Sequence, residues 1–592
     1  MDILIDALQA SRPWLLGATL VLGILYFLYL RALPKPLPGI PYNKHAKKRL
    51  LGDLPEMGKF HDDTRLFWAW FTAEIDKHKS PIMQVFMTPF GGRPHVVVAD
   101  LDEAHDILVH RHKEFDRADF FQETMGGLTP EGHILFKSDA KFRYHRKVIG
   151  DLMSPGFLHN VAAPSLHTNL SKIVDLWNEK ARLAQGRPFE AIDDIYYTAL
   201  DAVTSFTFSS RFSHNATSTR IAYYASLERL ESISSEPNQP AVFPKSPITD
   251  IFVEALRDLG VVYEEVLASV SPRLRWWFMM RRRAVKEAVA NKDAVFRKEI
   301  DEGILRLKKG NGKKDYTDES LIISALDHML MKEAALSEKE GRQPDFHRRL
   351  MYDELLTFIS AGHDTSSTTV TWGVKRLADN RSIQDKLRRQ LRTALDLAPG
   401  EAPSHEQILN TQMPYLDAVV EEMLRCAQPV PGLVRQATVD TQILGCHIPK
   451  GTQVFMLANG PGMFSPSLPV KDELRTPECL EAKGRIGKWA EDGRMDQFVP
   501  ERWLVPAVAG NGAGMFEGMS FNQAAGPMMA FSLGPRGCFG RRLAYVSLKL
   551  LVTLIVWNFE LLPCPEELSS YKAHDNLTNR PDFCYVRLKK VV

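Results

Sequence analysis

The chain has 592 residues, and 74 Lys and Arg against 72 Asp and Glu give a formal net charge of +2. Hydrophobic residues make up 44% and charged residues 25%, which is typical of globular proteins and excludes disordered and collagenous chains. The near-neutral charge supplies no bulk field for binding nucleic acid, and six cysteines are too few for a disulfide scaffold. The length allows about three to four average domains or one large fold in a reducing compartment.

The first predicted element is an uncharged run from Trp14 to Leu30. As a helix it would be about 25 Å long, close to the ~27 Å hydrocarbon core of an endoplasmic-reticulum bilayer. A cleaved signal peptide is disfavoured because the run lacks a small-residue cleavage site, and a buried core helix is the other alternative. Basic residues gather after the run, so the positive-inside rule places the chain after residue 31 in the cytosol. We therefore expect residues 1–33 to form a single-pass membrane anchor.

A Pro-rich stretch over residues 34–41 predicts an extended spacer, because proline cannot continue a helix. The pattern over residues 60–350 is mainly helical, with strand-like runs at 82–87 and 95–99. A basic and aromatic cluster at 273–283 fits either a buried helix with a solvated basic end or a second membrane contact.

A long helix is predicted from about residue 350 to 380, and it contains the segment Ala-Gly-His-Asp-Thr-Ser at 361–366. Ala361, Asp364 and Thr365 are three and four residues apart, so they share one helix face. Alone, a threonine-rich helix indicates hydroxyls that bond to the backbone. We expect His363 to be a packing residue.

Two short motifs follow this helix. Glu422 and Arg425 stand at i and i+3, a spacing that in isolation indicates a surface ion pair worth a few tenths of a kcal/mol. Residues 498–503 read Phe-Val-Pro-Glu-Arg-Trp.

Residues 531–540 (Phe-Ser-Leu-Gly-Pro-Arg-Gly-Cys-Phe-Gly) form a Gly-rich stretch before an apolar helical pattern at 541–559. A Cys538 thiolate would be stabilised there by free backbone N–H groups and the helix N-terminus. Gly534 and Gly540 permit the tight backbone path that exposes sulfur. An inert buried cysteine is the alternative. Since no second cysteine lies nearby in the sequence, zinc and iron–sulfur sites are disfavoured, and a single axial thiolate for haem iron fits what remains.

Together these segments resemble the cytochrome P450 family, in particular its membrane-anchored, microsomal-type, fungal-like members. Five residues match in full the family's FxxGxRxCxG haem-binding signature: Phe531, Gly534, Arg536, Cys538 and Gly540. Three more family motifs occur in the same order, namely the 361–366 segment, the ExxR pair and a PERF-like segment with Trp503 in place of its last Phe. The resemblance implies a mainly α, minor β P450 domain over residues 34–592, preceded by the N-terminal transmembrane helix.

The resemblance also implies roles for single residues. Cys538 would be the axial ligand of the iron in haem b (iron protoporphyrin IX). Asp364 and Thr365 would form an acid–alcohol pair that relays protons to dioxygen in an otherwise dry pocket.

Haem propionates need cations, and the resemblance offers Arg536, Arg146 and Arg435. Arg146 lies in a segment that begins with Phe142 where the family motif WxxxR has Trp, which removes one indole N–H donor.

Three further residues, Glu422, Arg425 and Arg502, would form a buried structural network. Removing one would strand a buried charge at a cost on the order of 3–5 kcal/mol. The positions that would face the substrate are largely apolar and comprise Phe120, Phe121, Ala361, Val430, Leu433 and Leu577.

The implied activity is oxidation of a lipophilic small molecule, in secondary metabolism, with O2 and externally supplied electrons. Since no flavin or nicotinamide domain fits the chain, NADPH would act only through an NADPH–cytochrome P450 reductase that docks near Arg541 and Arg542. The expected location is the endoplasmic-reticulum membrane, with the catalytic domain in the cytosol. Two alternatives are a reductase-independent haem-thiolate isomerase or dehydratase and a catalytically silent haem-binding protein; the intact Asp364–Thr365 pair argues against both.

Overall fold

The computed structural model describes residues 2–231, 234, 236–246, 250–309, 322–398, 400–484, 487, 489, 493–507 and 516–591, with side chains described from residue 16 onward except that of residue 309. In chain order the α-helices, α1 to α22, are Asp2–Arg31, Leu54–Thr64, Trp68–His78, Leu101–Val109, Asp119–Met125, Ala140–Ile149, Pro155–Phe157, Ala163–Leu170, Lys172–Ala184, Ile192–Phe208, Thr217–Ala225, Ile251–Leu267, Pro272–Met279, Arg283–Lys309, Ala325–Lys339, Arg349–Asp379, Arg381–Leu395, His405–Asn410, Pro414–Ala427, Pro477–Ala482, Arg541–Asn558 and Glu566–Ser569.

The strands are short and, in chain order, β1 to β14 are Ile82–Val85, His95–Val98, Phe115–Arg117, Phe189–Glu190, Gly432–Ala437, Thr441–Ile443, Cys446–Ile448, Gln453–Leu457, Leu504–Pro506, Met519–Phe521, Phe559–Leu562, Ala573–Asp575, Asn579–Pro581 and Tyr585–Lys590. The fold is thus mainly helical with some strands, as the sequence predicts.

The chain divides into two compact units, and the first comprises residues 1–116, 432–462 and 467–482. Its main sheet has the strand order β1-β2-β8-β5-β3, in which β2 and β8 are parallel and place Val97 opposite Phe455. β1–β2 and β5–β8 are antiparallel pairs. All four residues of β1 and of β2 are buried, so both faces of the sheet are covered there.

The second unit comprises residues 117–431, 463–466 and 483–592 and is built around α16. This helix has 31 residues and packs against α10, α19 and α21. Its buried apolar side chains, such as Leu355, Ile359, Val370 and Val374, contribute to one hydrophobic core with those of its neighbours. The small sheet β11-β14-β4 and the hairpins β9–β10 and β12–β13 lie in the same unit.

Several predicted elements are confirmed closely. The strand-like runs at 82–87 and 95–99 are β1 and β2, the long helix predicted at 350–380 is α16, and the apolar pattern at 541–559 is α21.

The predicted membrane anchor falls within α1, whose described apolar side chains are exposed; Leu16 is 71% and Phe27 is 55% exposed. Within the described residues, which leave out the side chains of Trp14 and Leu15, no helix has the length and apolar character that crossing a bilayer requires. The predicted transmembrane span is therefore not supported by the structure.

The basic and aromatic cluster at 273–283 matches neither predicted alternative alone. In α13, Trp276 is buried, its Nε1 donates to the carbonyl oxygen of Thr124 at 3.1 Å, and its ring meets the edge of Tyr263. Trp277 and Phe278 are 50% and 53% exposed. One face of α13 thus packs on the core while the other is open.

The buried position of Trp276 predicts the effect of a single added methyl group. A Cβ on Gly127 would lie 2.2 Å from Cδ2 of Trp276. Because the indole ring is rigid, it cannot change shape to relieve this clash. We expect Gly127→Ala to lower the free energy of unfolding by about 1–3 kcal/mol, measured by urea denaturation. Gly260→Ala on α12 is the control: its Cβ meets no atom within 4 Å and alanine favours helix, so no loss is expected. Equal losses in both variants would contradict this packing.

Candidate functional site

The loop before α21 presents one cysteine to open space. The backbone N–H of Cys538 donates to the carbonyl oxygen of Phe531 at 2.7 Å, which folds residues 531–538 into a closed turn. Gly534 adopts φ +67°, so the predicted need for glycine is confirmed at that position. Gly540 has φ −80° and a Cβ there would meet nothing within 4 Å, so the same argument is wrong for Gly540. All six cysteines fall in the described part of the chain, and among them Cys538 alone is exposed.

Opposing effects act on the Cys538 thiol. Although its side chain opens to space, the protein surrounding it raises the pKa of the thiol by burial. Hydrogen bonds from the backbone N–H groups of Gly540 and Arg541 lower that pKa, and so do the positive charges of Arg146 and Arg541. The sulfur therefore sits among donors and cations that favour a metal-bound thiolate.

Two arginines at this loop each lie over an aromatic ring. The Arg146 guanidinium lies 4.3 Å from the ring centroid of Phe539, directly after Cys538. Arg536 lies 3.8 Å from the ring of Phe142 and donates to the carbonyl oxygen of Phe136 at 2.8 Å. Phe142, where the family motif has Trp, thus offers a ring face instead of an N–H donor.

The donor set fits an iron porphyrin. One exposed thiol can supply the single axial sulfur, and Arg146 and Arg536 can neutralise the propionates. The described part of the chain has one other grouping with metal-ligand spacing, formed by His45, Asp53 and Glu56 in the first unit, and it contains no cysteine.

Behind Arg146, two histidines converge on one buried carboxylate. Glu354 on α16 accepts hydrogen bonds from the backbone N–H of His133 at 2.7 Å, from Nδ1 of His133 at 2.6 Å and from Nδ1 of His145 at 2.7 Å. Burial raises the pKa of Glu354, but the two imidazoles outweigh it and hold that pKa at about 2. His145 precedes Arg146 on α6, so this cluster ties α6 to α16.

The predicted relay pair is arranged differently from expectation. Thr365 Oγ1 donates to the carbonyl oxygen of Ala361 at 2.8 Å, the backbone bonding that a threonine-rich helix indicates by itself. Asp364 is buried. It accepts a hydrogen bond from Thr578 Oγ1 at 3.0 Å and forms an ion pair with Arg580. Although both residues are described, no hydrogen bond joins Asp364 to Thr365.

His363 is a packing residue, as predicted. It is buried, its Nδ1 lies 2.7 Å from the carbonyl oxygen of Ile359, and its ring meets that of Tyr196 edge-on. Burial lowers the pKa of His363.

The predicted buried network of Glu422, Arg425 and Arg502 is present, but Trp503 takes the place of Arg502. Arg425 donates to both carboxylate oxygens of Glu422, at 2.8 and 2.7 Å, and both side chains are fully buried. The third partner is Trp503, whose Nε1 donates to Glu422 at 2.9 Å. Arg502 instead bonds to the carbonyl oxygen of Arg494 and stacks on Trp489. The placement of Arg502 in this network is therefore wrong, and the residue that departs from the family motif takes the place.

The remaining predicted positions are spread over both units. Arg435 and Leu433 lie on β5 in the first unit, where Arg435 is buried and donates to the carbonyl oxygen of Val434 at 2.9 Å. In the second unit Phe120 and Phe121 lie on α5, and Leu577 lies in the turn between β12 and β13. Val430 precedes β5, and like these three it is half-buried.

Sequence reasoning missed four residues of this site: His133, His145, Glu354 and Arg580. His145 carried a signal, because it directly precedes Arg146 on the predicted helix. Arg580 carried none, because it is 216 residues from Asp364 in the chain.

Comparisons with known proteins agree with this geometry. The profile of the family "Cytochrome P450" matches residues 71–462 and 495–582. Cytochrome P450 monooxygenase TRI13 of Fusarium sporotrichioides is 37% identical over 590 residues, covering 97% of this chain and 99% of that protein. Cytochrome P450 monooxygenase GME11363 of Pestalotiopsis microspora is 34% identical over 581 residues, covering 96% and 97%. The solved haem domain of cytochrome P450DA has a TM-score of 0.62 at 17% identity, covers 95% of this chain and 99% of that one, and shows a similar fold.

The Glu354 cluster predicts a pH-dependent contribution to stability. Because the pKa of Glu354 in the folded protein is about 2, against an ordinary value of 4.5, its pairing stabilises above pH 4.5 and is lost as the pH falls toward 2. We expect Glu354→Gln to lower the free energy of unfolding at neutral pH, measured in urea, by on the order of 3–5 kcal/mol. The variant's free energy of unfolding should also fall less steeply than that of the wild type as the pH drops from 4.5 toward 2. Glu302→Gln, on the exposed surface of α14, should change neither quantity. If Glu354→Gln shows the same fall in unfolding free energy below pH 4.5 as the wild type, the role of the cluster is contradicted.

The Trp503–Glu422 hydrogen bond predicts a second, separable loss. Trp503→Phe should lower the free energy of unfolding by about 1–3 kcal/mol more than Trp489→Phe, because it leaves a buried carboxylate short of a donor. Trp489 is the matched control, since its indole N–H has no hydrogen-bond partner among the described residues. Urea unfolding measures both, and equal losses would rule out an energetic role for the hydrogen bond.

Proposed function

The chain belongs to the cytochrome P450 family, and we propose that it is a haem-thiolate enzyme in which Cys538 is the axial ligand of haem b. It is a monooxygenase, as its full-length fungal relatives are named. One observation carries the proposal: the exposed cysteine stands in the complete haem-binding signature, and Arg146 lies over the ring of the adjacent Phe539.

When bound, the haem supplies activation of O2 for insertion of oxygen into substrate. The chain's own residues hold it and tune it. Cys538 supplies the sulfur, the N–H groups of Gly540 and Arg541 direct hydrogen bonds to that sulfur, and Arg146 and Arg536 would hold the propionates. The family resemblance also implies Arg435 as a propionate partner, and it is a buried cation on β5.

Proton delivery is proposed to pass through Thr365. Its hydroxyl lies on the same face of α16 as Ala361, which is exposed and offers no competing polar side chain. Thr365 Oγ1 can pass on its proton once it exchanges the hydrogen bond to the Ala361 carbonyl oxygen for one to a reacting oxygen. Once freed from Arg580, the Asp364 carboxylate would take up a proton from water and pass it to Thr365.

The electron donor is proposed to be a membrane-bound NADPH–cytochrome P450 reductase. Exposed basic side chains, Lys141, Arg143 and Lys147 on α6 and Arg542 on α21, lie on the two helices that also position Arg146 and Cys538. An acidic partner surface would be attracted to them. The substrate is proposed to be a lipophilic small molecule of secondary metabolism, in keeping with the apolar candidate positions and the similarity to fungal monooxygenases.

We further propose that residues 34–592 form one catalytic domain held at the endoplasmic-reticulum membrane, with that domain on the cytosolic side. Two features support membrane association. The described part of α1 exposes a continuous apolar surface, and α13 exposes Trp277 and Phe278 beside the arginines at 281–283. Aromatic and arginine side chains together suit the headgroup region of a bilayer.

The proposal predicts a spectrum that depends on one residue. Reduced wild-type holoprotein treated with carbon monoxide should show the red-shifted Soret band of a thiolate-ligated haem, and Cys538→Ala should lose it. Cys446→Ala, which removes a half-buried thiol in the first unit, should keep the band. A wild-type spectrum without the red-shifted band would overturn the proposed function.

A further inference from the structure

The carboxylate of Asp364 is held from the C-terminal hairpin β12–β13. Thr578 Oγ1 donates to Oδ2 of Asp364 at 3.0 Å, and Arg580 forms an ion pair with Oδ1. Thr578 also lies 2.9 Å from Thr368 Oγ1 on α16 and accepts from Nε of Arg580 at 3.2 Å. Each oxygen of the acid therefore has a partner on the hairpin.

The surroundings make this attachment strong. The Asp364 side chain is 3% exposed, so its charge depends on a nearby cation. The ring centroid of Tyr196 lies 5.6 Å from the Arg580 guanidinium and covers the pair. Because consecutive helix residues point in different directions, a carboxylate held by the hairpin is not turned toward Thr365.

Arg580 has a second carboxylate within reach. Its Nη1 lies 4.0 Å from Oε1 of Glu264 on α12, which is 27% exposed. Burial and the charge of Asp364 raise the pKa of Glu264, while Arg580 lowers it. Two carboxylates thus compete for one guanidinium, and a small movement of Arg580 toward Glu264 would weaken its hold on Asp364.

We infer that Arg580 is a positioning residue for Asp364: together with Thr578 it holds the acid away from Thr365, and a shift of Arg580 toward Glu264 releases the acid for proton delivery. The inference rests on the proposed role of Asp364 and Thr365. The released carboxylate takes up a proton from water and gives it to Thr365, and the guanidinium keeps its own protons and charge in both positions.

The test uses the holoenzyme with NADPH–cytochrome P450 reductase and no added substrate. Two quantities are measured: the rate of NADPH oxidation and its solvent kinetic isotope effect. Arg580→Gln should raise the rate severalfold and lower the isotope effect, because the acid is free. Arg580→Lys, which keeps the charge, should stay close to wild type. The double variant Arg580→Gln/Asp364→Asn should behave as Asp364→Asn alone, with a reduced rate.

A second readout is independent of turnover. Hydrogen–deuterium exchange of the backbone over residues 573–581 should speed up in Arg580→Gln and equally in Asp364→Asn, with no further increase in the double variant. Arg587→Gln on β14 is the control, because Arg587 is an exposed residue of the same C-terminal region that bonds to the carbonyl oxygen of Gly186. It should leave exchange in the hairpin and NADPH oxidation unchanged.

The outcomes distinguish the positioning role of Arg580 from the proposed proton relay itself. If Asp364→Asn leaves the rate and the isotope effect at wild-type values, the proposed relay fails and the inference fails with it. If Asp364→Asn slows turnover while Arg580→Gln behaves like Arg587→Gln, the relay stands and the positioning role of Arg580 is overturned. Additive effects of the two substitutions in the double variant would also overturn it.

Discussion

The second unit depends on pairing carboxylates that its helices remove from water. Glu354 and Asp364 lie on α16, Glu422 lies on α19, and all three are buried. An unpaired charge in such a place costs several kcal/mol, so each position requires a partner with the right donors. The partners come from distant parts of the chain, and by binding they fix the loop before α6, the C-terminal hairpin and the segment at 495–503 against the two helices.

Each of these pairs positions a different part of the site. The Glu354 cluster holds α6, which carries Arg146 beside the Cys538 loop. The Glu422–Arg425 pair also reaches backbone carbonyl oxygens of Met463, Met495 and Gln497, which anchors irregular chain that has no helix or strand of its own. The Asp364–Arg580 pair joins the middle of α16 to β13. In this unit, buried charge pairs thus fix segments that are distant in the chain against one another, as backbone hydrogen bonds do between the strands of a sheet.

Two substitutions relative to the family motifs acquire a physical meaning only in this setting. Phe142 loses an indole donor but gives Arg536 an aromatic face, and Trp503 gains an indole donor that Glu422 uses. The first gives the Arg536 guanidinium an aromatic contact, and the second adds a hydrogen bond to the Glu422–Arg425 pair on α19. Motif comparison alone treats both as departures and does not show which one adds a contact.

The sequence by itself determined the family, the thiolate candidate Cys538, the long helix α16 and the Glu422–Arg425 pair, because these depend on residue type and spacing within one segment. Strands β1 and β2 were equally readable, since their apolar runs are local. Only the tertiary structure decided that Trp503 replaces Arg502 at Glu422, that His133 and His145 share Glu354, and that Arg580 holds Asp364. The reason is physical: a buried charge can be satisfied by any suitable donor that the fold brings within about 3 Å, and no local pattern marks a partner two hundred residues away.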